Sequence, residues 1–83
     1  MKVEDLVPTA AINKDKFEKY RGMSGSPPPV EYITDTDGTN YIVDGNHRWF
    51  VALAKGLLII PAIPFVAPAY IIYKLLQMYR GRK

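Results

Sequence analysis

The sequence predicts a small domain of the α/β (α+β) class, and three stretches carry that expectation. Tyr41-Ile42-Val43, a strand-forming run, passes through the polar turn Asp44–Arg48 into the apolar run Trp49–Ala54, which reads as strand, turn and helix. Val30-Glu31-Tyr32-Ile33-Thr34 alternates apolar and polar residues and is followed by Asp37-Gly38 and then Asn40–Val43, the pattern of a β-hairpin. Near the end, Ile71, Ile72, Leu75, Leu76 and Tyr79 recur at the spacing of one helix face. With 83 residues the chain supports a single domain, 1–83, near the lower size limit for a self-supporting core. It has no cysteine, so stability must come from packing, and self-association is one way to add to it.

Taken in order, Met1 to Pro8 fits a short strand or extended arm that Pro8 ends. Asn13 caps a short helix running to Tyr20, with Ile12, Lys16, Phe17 and Tyr20 on one face and the charges turned to solvent. Arg21 to Pro29, rich in Gly, Ser and Pro, is a loop; Ser24-Gly25-Ser26 offers hydroxyl and backbone donors, and a plain linker is the simpler reading. Asp35–Thr39 is the hairpin turn. Asp35 and Asp37 resemble the start of a calcium loop, but the later ligands and the closing Glu are missing, so the turn reads as structural. The central helix starts near Asn46, with Asp44 or Asn46 as its cap, and ends at Lys55-Gly56. Leu57–Val66 carries the next strand, which Pro61 and Pro64 confine to an edge or to the ends of pairing. Pro68 opens the last helix, residues 69–80. Tyr70, Tyr73, Met78 and Tyr79 widen its apolar surface, which suggests a homo-oligomer or a protein partner docked on this helix.

The candidate site is the turn Asp44-Gly45-Asn46-His47-Arg48. A strand that turns through glycine into a helix leaves backbone N–H groups and the positive end of the helix dipole open to an anion. Gly45 lets backbone approach a ligand, Asn46 and His47 add polar side chains, and Arg48 adds a guanidinium that matches phosphate. Each residue also has a plainer role. Asp44 could only cap the helix, Gly45 only serve a tight turn, and His47, the single histidine, only bond to backbone. Arg48 is the strongest candidate, because a cation at a helix N-terminus opposes the dipole unless an anion joins it.

Asp44-Gly45-Asn46-His47-Arg48, with the preceding strand and Ala52…Gly56…Ile60-Pro61-Ala62 after it, resembles the ParB/sulfiredoxin superfamily. The resemblance covers residues 1–66, where Val3–Pro8 and Pro28-Pro29-Val30 stand where such domains carry their opening segment and second strand. It implies a small mixed sheet with packed helices and a loop that holds a nucleotide: ATP, ADP or CTP with magnesium. Departures narrow it. Sulfiredoxin works through a cysteine beside the His-Arg pair; Asn46 stands there, and the chain has no cysteine. The CTP-binding partition proteins carry Gly-Glu-Arg-Arg, against Gly45, Asn46, His47 and Arg48, and need downstream helical parts for a DNA clamp. The ADP-dependent free-serine kinase carries Asp-Gly-His-His-Arg, close to residues 44–48. Under that likeness Gly45, Asn46, His47 and Arg48 bind the cofactor. Asp44 or Glu31 would act as base in phosphoryl transfer, while a nuclease would use His47 as acid/base with a metal on Asp44.

Charge is divided unevenly. All eight acids lie in residues 1–44, which carry a net −3; residues 45–83 hold six cations and no acid. A basic half around a phosphate loop suits a nucleotide or DNA, and an ordinary basic tail explains it as well. No signal-peptide pattern is visible at the N-terminus. Leu57–Tyr73 is uncharged but is interrupted by Pro61, Pro64 and Pro68 and is short for a span, so no membrane is expected and a cytoplasmic location is the reading. Two functions from different classes therefore stand: a nucleotide-using enzyme, phosphotransferase or nuclease, and a non-catalytic module that binds nucleotide, DNA or protein.

Overall fold

The computed structural model describes residues 1–11, 13–21 and 28–81. The side chains of Ile12, Lys16 and Tyr20, the donors of Ser24-Gly25-Ser26, and the end Arg82-Lys83 lie outside the described part.

A 3₁₀ turn at Val3–Asp5 leads into β1 (Leu6–Val7), then α1 (Lys14–Arg21), β2 (Val30–Thr34), β3 (Asn40–Asp44), α2 (Asn46–Ala54), β4 (Ala62–Pro64) and α3 (Ala69–Arg80). The four strands form one mixed sheet in the order β1-β3-β2-β4. β2 and β3 are the antiparallel hairpin, while β1 on β3 and β4 on β2 are parallel. The α+β class expected from the sequence is thus observed.

The sheet is buried on both faces. Val3, Leu6, Val30, Ile42, Ala52 and Ile60 form one core, with Tyr32, Trp49 and Ala62 packed on it beneath α2. Ile33, Tyr41, Leu76 and Tyr79 form a second, joined by Val7, Val43, Phe65, Ile72 and Leu75, beneath α3. Period-two alternation along each strand sorts these side chains: Val30 and Tyr32 go one way, Ile33 the other; Ile42 one way, Tyr41 and Val43 the other. The stripe Ile72, Leu75, Leu76 and Tyr79 is therefore in large part the chain's own second core, and Tyr79, expected to widen the docking surface, is buried in it. Tyr70, Tyr73 and Met78 stay exposed.

The hairpin turn closes with Asp35 N–H donating to Thr39 C=O at 2.8 Å, and Gly38 takes φ 87°. Its Asp35 has a second role. The carboxylate, only 3 % exposed, accepts both Nε and Nη2 of Arg80 at 2.9 and 2.7 Å, so the end of α3 is held to the hairpin. β4 is a short edge strand, as its prolines require, and most of the strand expected over Leu57–Val66 is irregular. Before it, Ile59 bridges antiparallel to Lys2, and Ile60 N–H donates to Met1 C=O at 2.9 Å. Among the described residues no helix is long and apolar enough to cross a membrane.

Candidate functional site

Strand β3 delivers the chain to the loop, and a register shift aims it. On β2 one step separates Glu31 from Tyr32, whereas their partners on β3 are Asp44 and Ile42, two residues apart. Such bulges bend a strand and redirect side chains. The shift sets Asp44 opposite Glu31, so both sequence-predicted candidate bases lie at the entrance to α2.

Gly45 is the N-cap of α2, with φ 103° and ψ 21°. This left-handed conformation suits glycine, and the space is tight: a Cβ there would lie 2.8 Å from Nη2 and 3.0 Å from Nε of Arg48, and 3.1 Å from Cγ2 of Val30. No side chain caps the helix. The expectation that Asp44 or Asn46 caps α2 is therefore corrected. Glycine sits at the cap, Asp44 faces Arg48, and Asn46 is already inside the helix. At the other end, Gly56 (φ 73°) donates to Leu53 C=O at 3.1 Å and Leu57 donates to Ala52 C=O at 3.0 Å, the Schellman closure that Lys55-Gly56 announced.

Asn46 is buried and points to the segment after β1. Its Oδ1 accepts Thr9 N–H at 2.8 Å, and Thr9 Oγ1 in turn donates to Ile42 C=O. What Asn46 can offer a ligand is its backbone N–H. His47 turns towards α1: its Nε2 accepts the backbone N–H of Asn13 at 2.8 Å, immediately before that helix. The ring therefore carries its proton on Nδ1 when this bond is made. Phe50, one turn further along α2, meets Phe17 of α1 edge to face at 5.2 Å. Trp49 donates Nε1–H to Val3 C=O at 2.8 Å, tying α2 to the N-terminal turn.

Arg48 lies across Gly45 with its side chain only 12 % exposed, and its Nη2 donates to Asp44 Oδ2 at 3.1 Å. Asp44 is 70 % exposed. Arg48 Nε is buried and has no acceptor among the described residues. Ala10, Val43, Asp44, Gly45, Asn46, His47 and Arg48 line an open cleft of about 200 Å³. That is small beside the ~300–1,000 Å³ of typical small-molecule sites, and suits one or two phosphoryl groups.

The structure thus brings Asp44, Gly45, Asn46, His47 and Arg48 to one cleft, which Glu31 does not line, and pairs several of them inside the fold. No group of three or more His, Asp or Glu gathers as a metal cage among the described residues. Among the described cations of the second half, Arg48 and Arg80 are bonded to carboxylates, Lys55 is exposed just after α2 and Lys74 is exposed on α3. Compared with known proteins, the chain matches no family model and no curated protein.

Proposed function

We propose that the start of α2 binds the phosphate of a nucleotide, and that the chain acts as a binding module. The observation that carries this reading is the Arg48 guanidinium laid over an uncapped helix N-terminus, with Nη2 on an exposed carboxylate and Nε on no acceptor. A phosphate oxygen brought to this turn meets the leading amides of α2, the positive end of its dipole and the charge of the Arg48 guanidinium. Asp44, the one acceptor on Arg48 among the described residues, is mostly in solvent and can swing away from Nη2. The size of the cleft favours a phosphate group whose nucleoside lies outside it.

Binding is preferred to turnover because both candidate catalytic groups are engaged. His47 Nε2 accepts the Asn13 amide, and Asp44 is paired with Arg48. A base or a magnesium ligand at either residue first requires one of these contacts to open. A nucleotide is preferred to DNA because the described cations of the second half are dispersed, whereas a duplex needs a row of them.

Isothermal titration of ATP, ADP, CTP and a short DNA duplex, each with magnesium, into the wild type and Arg48→Ala tests this. Nucleotide binding that falls at least tenfold in the variant is the expected result. Salt-sensitive DNA binding that ignores Arg48 would overturn it, as would the absence of any nucleotide binding.

A further inference from the structure

The run from Leu57 to Val66 leaves more apolar surface in water than an isolated small domain needs, and part of it has a definite order. Ile60 and Ala62 belong to the core under α2. By strand alternation Ile59, Pro61 and Ile63 then stand on the opposite face, the one α3 covers elsewhere. There Ile59 is 69 % exposed and Ile63 48 %, and Val66 just beyond is 90 % exposed. α3 packs over Ile33, Tyr41 and Phe65 and leaves Ile59 and Ile63 exposed.

The row carries opposite charges at its two ends. Lys2 is the cross-strand partner of Ile59, and Glu31 is the in-register partner of Ile63. Paired residues share a sheet face, so an exposed cation flanks one end of the row and a partly buried carboxylate the other, about 13 Å apart at the usual rise of a strand. A second copy turned by a two-fold axis places Lys2 of each chain against Glu31 of the other, with Ile59 against Ile63. Laid the other way, the row would oppose like charges. Such self-complementarity is what an isologous contact demands.

We propose that this row is the contact between two copies of the chain, packed antiparallel through Ile59, Pro61 and Ile63 with Lys2–Glu31 pairs at both ends. Side chains make the contact and strand addition does not, because Pro61 precedes the short β4 and Pro64 ends it, which blunts its edge. Three side chains cover much less than the ~800 Å² per partner of a standard interface, so the dimer is a weak one that forms at high concentration.

Sedimentation velocity from about 10 µM to about 1 mM, spanning the affinities such small interfaces give, tests the proposal. The wild type shifts from monomer to dimer across that range, and Ile59→Glu, at an exposed position where folding is undisturbed, stays monomeric. Lys2→Glu and Glu31→Lys each weaken association at least fivefold. An equimolar mixture of these two variants, whose rows carry like charges of opposite sign, associates at least as well as the wild type. A wild type that remains monomeric throughout overturns the proposal. So does a dimer indifferent to Ile59→Glu, or a mixture no better than its components.

Discussion

Asn46 and His47 show how two polar residues of the loop serve the fold before they serve a ligand. Asn46 Oδ1 is the acceptor for the buried Thr9 amide, and His47 Nε2 is the acceptor for the amide of Asn13. Each joins the loop to the segment between β1 and α1, so the cleft keeps its wall at Ala10. Asn46→Ala removes an acceptor and leaves a buried N–H without a partner, at a cost of about 1–3 kcal/mol. In the ligand-free protein this should appear as a fall in Tm of several degrees, by roughly 4–8 °C per kcal/mol in a domain of this size. An unchanged Tm would mean that Asn46 is not a structural tie. Arg48 differs in kind, because its Nε is the one buried side-chain nitrogen at the loop with no acceptor among the described residues.

At the scale of elements, the position of α3 depends on apolar packing and on one ion pair. Ile72, Leu75, Leu76 and Tyr79 bury the inner stripe, and Arg80 locks the last turn to the hairpin through Asp35. The Arg80 guanidinium, hydrogen-bonded to this carboxylate, holds the Asp35 pKa down at about 2 against its ordinary 3.8, partly offset by desolvation. A carboxylate whose pKa is lower in the folded state stabilises the fold above its unfolded pKa, and that contribution fades as pH falls through the folded one. Wild type should therefore lose stability between about pH 4 and pH 2, measured as Tm against pH. Asp35→Asn should start from a lower Tm at neutral pH and lose less over that interval. Parallel curves for the two proteins would show that the pair does not hold α3.

Over the whole molecule, the sequence showed what periodicity and turn chemistry can report. The hairpin at Asp37-Gly38, the helix after Gly45, its closure at Gly56 and the edge position of the Pro61–Pro64 segment were all readable from local residues. So was the placement of the candidate site at the strand-to-helix turn. Partners of polar side chains were not readable. Asp35 and Arg80 are 45 residues apart, Thr9 and Asn46 are 37 apart, and Asn13 and His47 are 34 apart. Alternation says which face of an element is apolar; only the packed topology decides which distant group a carboxylate, amide or imidazole meets. The cap of α2 was misplaced for a related reason: preference scales favour Asp or Asn there, whereas the φ of 103° that this turn requires favours glycine. The same topology leaves Ile59 and Ile63 exposed while α3 packs over Ile33, Tyr41 and Phe65, so two surfaces of different chemistry stand side by side on one small domain.

The claim at the centre of this account is that the α2 turn is a phosphate site built on Arg48. The most direct measurement is nuclear magnetic resonance on ¹⁵N-labelled protein titrated with magnesium ADP, following the backbone amides and the arginine Nε–H signals. The account predicts that the amides of Gly45, Asn46 and Arg48 and the Nε–H of Arg48 move together and saturate with one affinity, and that Arg80 Nε–H stays in place. Shifts confined to Lys55, Lys74 or other exposed cations, with the Gly45–Arg48 signals unmoved, would contradict it.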